Sequence, residues 1–130
     1  MTNEENVLAC KNMCNDFAAN TQTQINLIAT KQTAINQKLE EIENLKGGIW
    51  NTVLNERFEI NNKLKWTNDL QRKIRFNEIA AENVDYQDAL SALWTLEEEL
   101  KIAQGEAEYQ RKLFKSTELT MQFYAANPAG

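Results

Sequence analysis

Residues 25–42 read Ile-Asn-Leu-Ile-Ala-Thr-Lys-Gln-Thr-Ala-Ile-Asn-Gln-Lys-Leu-Glu-Glu-Ile. Ile28, Ile35 and Ile42 fall seven residues apart, with Ile25 and Leu39 each three residues ahead of a rung. Seven residues are close to two turns of an α-helix, so these side chains form a stripe on one face, the pattern of a packed or coiled helix. Upstream the ladder continues through Thr21, Cys14 and Val7, and downstream through Ile49, with Ala18 and Val53 in the companion row. That row also holds Lys11, Gln32 and Lys46, polar entries of the kind that fix register or partner number. Thr2-Asn3-Glu4-Glu5 has the form of a capping box that starts the helix. Lys46-Gly47-Gly48 reads as its end, a cation at the carboxyl end of the dipole followed by residues free to take positive φ. The first helix is therefore predicted over 3–46.

Beyond the glycines, Trp50, Val53, Leu54, Phe58, Ile60, Leu64, Leu70 and Ile74 keep mostly helical spacing and predict a second helix over 50–81. A rival reading takes the alternation of Phe58 with Ile60 and of Leu64 with Trp66, around Asn61-Asn62-Lys63, as a small β-hairpin. Asn83-Val84-Asp85 offers a break, with Asp85 as cap and Asp88 three residues on. A third helix over 86–124 carries the ladder Tyr86, Leu93, Leu100, Ala107, Phe114 and Met121, flanked by Ala89, Leu90, Leu96 and Ala103. Ile79 belongs to the same ladder, so the alternative is one continuous helix from the second into the third. Residues 125–130 carry no helical pattern and form a short tail.

The expected fold is all-α: long amphipathic helices in a single domain spanning 1–130, an elongated three-helix bundle or helical hairpin with coiled-coil-like seams. Composition agrees. A single proline, Pro128, and four glycines leave little to punctuate strands and turns. The longest apolar runs are a few residues, as in Ile79-Ala80-Ala81, so neither a membrane span nor a signal peptide is expected, and no membrane partner. The expectation is a protein of the cytoplasm, or of the host cytoplasm or virion if the chain is viral.

The residue inventory argues against an enzyme. There is no histidine, the usual base at neutral pH. Cys10 and Cys14, four apart on one helix, read as reduced, structural thiols, since a zinc site needs further ligands and a nucleophile needs an activating base. Glu40-Glu41-Glu43 and Glu97-Glu98-Glu99 read as solvated helix faces rather than converging acid–base pairs. Gly47-Gly48 lacks the lysine and hydroxyl of a phosphate loop. No catalytic residue, cofactor or metal is expected.

Charge placement is less bland. Residues 57–76 hold Arg57, Lys63, Lys65, Arg72, Lys73 and Arg75 against Glu59 and Asp69, within a chain whose net charge is −5. A basic segment in an acidic protein points to an acidic partner surface or to nucleic acid. On a helical wheel of about 100° per residue, Ile60, Leu64, Leu70 and Ile74 share the core side. Lys65, Trp66, Arg72, Lys73 and Phe76 then gather opposite, as a basic, aromatic strip; the competing reading packs Trp66 and Phe76 against a neighbouring helix.

Thr67-Asn68-Asp69-Leu70-Gln71-Arg72-Lys73 through Asp85-Tyr86-Gln87, then Glu106-Ala107-Glu108-Tyr109-Gln110-Arg111-Lys112-Leu113-Phe114, resembles small helical proteins of bacterial viruses over about half the chain. The resemblance implies a small structural or accessory viral protein, some of which assist recombination on single strands. The first expectation is a non-catalytic, oligomeric helical interaction protein working as scaffold, adaptor or structural component, with Ile28, Ile35, Ile42, Leu93, Leu100 and Phe114 as the seam either of the oligomer or of the bundle itself. The second is an accessory binder of single-stranded nucleic acid using residues 57–76. A third, an inhibitor whose acidic surface mimics nucleic acid, is compatible with the charge.

Overall fold

A computed structural model of the chain describes residues 2–127, and its fold is all-α. Three helices follow one another: α1 (Asn3–Asn55), α2 (Asp69–Glu82) and α3 (Val84–Ala126). The chain divides into two compact units, one of Met1–Gln32 with Glu98–Gly130 and the other of Thr33–Glu97. In each, a stretch of α1 packs on a stretch of α3.

The capping box forms as the sequence suggests: Thr2 Oγ1 accepts from the Glu5 amide at 3.1 Å and Glu5 Oε2 accepts from the Thr2 amide at 3.3 Å. The predicted end at Lys46 does not occur. α1 runs through Gly47 and Gly48 to Asn55, because Ile49 and Val53 extend the ladder and are buried in the core cluster of the second unit. Burying two such side chains contributes about 1.5–3 kcal/mol each, more than the roughly 1 kcal/mol that each mid-helix glycine costs.

The predicted second helix over 50–81 is divided. Its first residues belong to α1, and the rest begins at α2. Between them the rival hairpin appears in minimal form, an isolated antiparallel bridge between Arg57 and Leu64. Phe58 N donates to Lys63 O and Lys65 N to Glu56 O, both at 2.9 Å. Asn62 sits at φ 56°, in the left-handed region that asparagine tolerates, and Asn61 Oδ1 accepts from the Lys63 amide at 3.0 Å. Asn68 then caps α2, accepting from Gln71 N at 2.9 Å.

α2 and α3 are separate helices. The break falls at Asn83, whose amide donates to Ala80 O at the end of α2 and whose Oδ1 accepts from Tyr86 N at 2.9 Å at the start of α3. The cap is thus Asn83 and not Asp85; Asp85 lies in the first turn, where its charge favours the positive end of the helix dipole.

In the first unit the buried side chains are small: Cys10, Cys14, Ala103 and Ala107, with Gln110 among them. Gln110 accepts from Asn20 Nδ2 at 3.3 Å and donates to Glu106 at 2.9 Å. The second unit has a larger core of Ile42, Ile49, Val53, Ala80, Tyr86 and Ala89, against which Trp50, Trp66 and Phe76 pack.

The α3 ladder faces inward along its length, whereas α1 uses a different companion row from the one expected. The row holding Ile25 and Leu39 is exposed from Lys11 to Leu39 and turns inward only at its end, where Val53 is buried. Three residues after each rung, Cys10, Phe17, Gln24, Lys31, Lys38 and Leu45 turn inward instead. Lys31 and Lys38 fit there because a lysine stem can lie along apolar surface while its head reaches a carboxylate, here Glu99 and Glu41.

Candidate functional site

The basic, aromatic segment is organised around Glu56, just past the end of α1. Its Oε1 accepts from Trp66 Nε1 at 3.0 Å and from Arg75 Nε at 2.7 Å, and its Oε2 from Arg75 Nη2 at 3.0 Å. Arg75 Nη1 also reaches Glu78 at 3.1 Å. The Arg75 hydrogen bonds hold the Glu56 carboxyl below its ordinary range, assisted by Trp66 and opposed by partial burial. The same pairing raises Arg75 above an already high value. Sequence reasoning missed Glu56, because nothing in its local context marks it; its importance comes from α2 folding back past the end of α1.

The strip proposed from the sequence is split by the fold. Phe76 stacks on Trp50 with centroids 4.5 Å apart and planes at 25°, and meets Tyr86 edge-on at 6.4 Å. Trp66 packs against the same core. Lys73 is exposed, Arg72 donates from Nε to Trp66 O at 3.2 Å and pairs with Asp69 at 3.7 Å, and Lys65 lies 5.9 Å over the Phe58 ring. The side expected to be core is the outer one: Ile60, Leu64, Leu70 and Ile74 are all exposed. The wheel was inverted because the turn at Asn61-Asn62 breaks the helical phase on which it depended. Two of the aromatics are therefore packed inside, leaving cations and Phe58 outside.

Of the seam residues, Ile35 and Ile42 are buried and Ile28, Leu93, Leu100 and Phe114 half-buried. Leu93 packs against the core of the second unit, and the Phe114 carbonyl lies 3.8 Å from Cys14 Sγ. Cys10 and Cys14 are free and buried. Burial, then Glu118 and Cys10, push the Cys14 thiol up, away from the thiolate that nucleophilic or metal chemistry requires. Among the described residues no group of three or more histidine, cysteine or acidic side chains could hold a metal. Within the glutamate runs Glu40 and Glu97 are exposed and the others are engaged in ion pairs, Lys38–Glu41 at 2.7 Å, Lys46–Glu43 at 3.4 Å, Lys101–Glu98 at 3.3 Å and Lys31–Glu99.

The first unit also carries apolar side chains outside its seam. On α3, Ile102, Tyr109 and Phe123 are exposed and lie at multiples of seven, so they share a face; Leu119 joins them one turn before Phe123. Their seven-residue spacing is the sequence signal for this second face, weaker than the main ladder because Ser116 interrupts it. An open groove of about 400 Å³ between Leu27 and Ile102 runs along one flank, and another of about 300 Å³, lined by Ile25 and Phe114, lies elsewhere in the unit. Compared with models of known protein families, with curated proteins and with solved structures, the chain matches none.

Proposed function

We propose that this chain is a non-catalytic helical interaction protein that assembles with further copies of itself as a structural, adaptor or scaffold component, within a viral particle if the resemblance to phage proteins holds. The observation that carries this reading is the mismatch in the first unit. Its two helical stretches bury mainly Cys10, Cys14, Ala103 and Ala107, yet they leave Ile25, Leu27, Ile102, Tyr109 and Phe123 in contact with water. Covering a fully exposed isoleucine or leucine contributes about 1.5–3 kcal/mol, and these side chains, from 38% exposed at Ile25 to 72% at Ile102, would each add a corresponding part of that to a small core. A second pair of helices laid on these flanks would turn two helices into a bundle of four, in which apolar faces become interior.

Sedimentation equilibrium of the full chain tests this. A mass above one chain is expected. Ile102→Asp combined with Phe123→Asp, both at exposed positions, should lower the mass to that of a single chain while helical circular dichroism persists. A wild-type protein that remains one chain at high micromolar concentration would overturn the proposal.

A further inference from the structure

The turn between α1 and α2 puts large apolar side chains where the chain does not cover them. Ile60 is 99% exposed and Phe58 50%. They stand on a pinned hairpin: besides the two bonds flanking the Arg57–Leu64 bridge, Asn62 N donates to Phe58 O at 2.8 Å and Arg57 Nη1 to Asn62 O at 2.9 Å. Cations surround them. Arg57 and Lys63 are exposed and Lys65 lies over Phe58, with Glu59 as the opposing charge within 57–65. The next helix adds exposed Leu70 and Ile74, one turn apart on its outer face, with exposed Lys73 beside them.

We propose that this hairpin docks onto an anionic lipid surface, with Ile60 and Phe58 entering the boundary of the acyl chains and Arg57, Lys63 and Lys65 lying among the headgroups. Charge complementarity selects an acidic partner. The projecting tip then selects a bilayer, because a fluid interface closes around an apolar protrusion that a protein could accept only through a matching acidic pocket. Base stacking fits less well, since Trp66 and Phe76 are packed inside and Lys65 already lies over the Phe58 ring. This mode is distinct from spanning: no helix among the described residues is long and apolar enough to cross a membrane. The expectation of no membrane partner followed from the absence of such a span, which says nothing about a tip lying in the interface.

The test is co-sedimentation of the full chain at low salt with vesicles of equimolar phosphatidylserine and phosphatidylcholine, and with phosphatidylcholine alone. Binding to the mixed vesicles and not to the neutral ones is expected. Lys63→Glu, a change of two charges, should weaken it roughly 25-fold, because each basic residue near an anionic surface contributes about fivefold. Ile60→Asp should weaken it about tenfold or more by removing inserted apolar area. Both side chains are exposed, so helical circular dichroism should be unchanged. No binding to mixed vesicles, or binding indifferent to Ile60→Asp, overturns the proposal; so does capture of single-stranded oligothymidine that depends on Lys63 and ignores Ile60. Sedimentation without lipid reads self-assembly separately, so either reading can fail alone.

Discussion

At the residue scale, Glu56 joins three segments by accepting from Trp66 and Arg75 at the end of α1. Its carboxyl titrates below the ordinary value of 4.5. A group whose folded value is depressed contributes fully above its unfolded value and loses that contribution as pH falls through the folded one. Acid should therefore destabilise the protein below about pH 4.5, and Glu56→Gln should flatten that part of the stability curve while lowering stability at neutral pH. Urea midpoints across pH, compared with Glu41→Gln at an exposed pair, measure it; equal effects of the two substitutions would deny Glu56 its role. Cys14 gives a second prediction. Buried, and with its thiol raised by that burial, it should resist alkylation in the folded protein at neutral pH and react readily once unfolded.

At the element scale, Gly47 and Gly48 lie inside α1, and a Cβ at either would meet nothing within 4 Å. Alanine at each should raise stability by about 1 kcal/mol, read from chemical denaturation. A loss instead would mean that the helix is not continuous there. Ile42→Ala, in the core, should cost about 2–5 kcal/mol, and Leu39→Ala, on the exposed row, much less. These positions mark how far the sequence could be read. The α3 ladder was legible because its rungs and one companion row were almost wholly apolar. In α1 the two candidate companion rows were equally mixed, so spacing could not say whether Leu39 or Lys38 turns inward; the partner helix decides, through packing and the carboxylates it offers to lysine stems. Gly47-Gly48 looked like a terminus because local propensity favours one, and distant packing overrides it. For the candidate surface, the basic composition of 57–76 was plain. Which of its side chains face outward depends on a turn that no wheel can cross.

At the scale of the whole molecule, the two units are unequally supported. The second has Trp50, Trp66, Phe76 and Tyr86 around its core, and the first has small side chains and Gln110. In dilute protein, amides of the first unit should exchange with solvent faster than those near Ile49 and Val53, and should gain protection as concentration rises and copies cover its flanks. Uniform exchange independent of concentration would count against that. The connections within each unit also differ in reach. Glu56 meets Trp66 and Arg75 across 10 and 19 residues, whereas Asn20 meets Gln110 across 90 and Cys14 meets Phe114 across 100. Closing a loop of a hundred residues costs about 2 kcal/mol more than closing one of ten. The middle of the chain can thus close on itself first, bringing its two ends into range of each other. On the ribosome the consequence is asymmetric: the first thirty or so residues emerge early but wait for their partner until the last quarter of the chain is made, with Cys10 and Cys14 still uncovered.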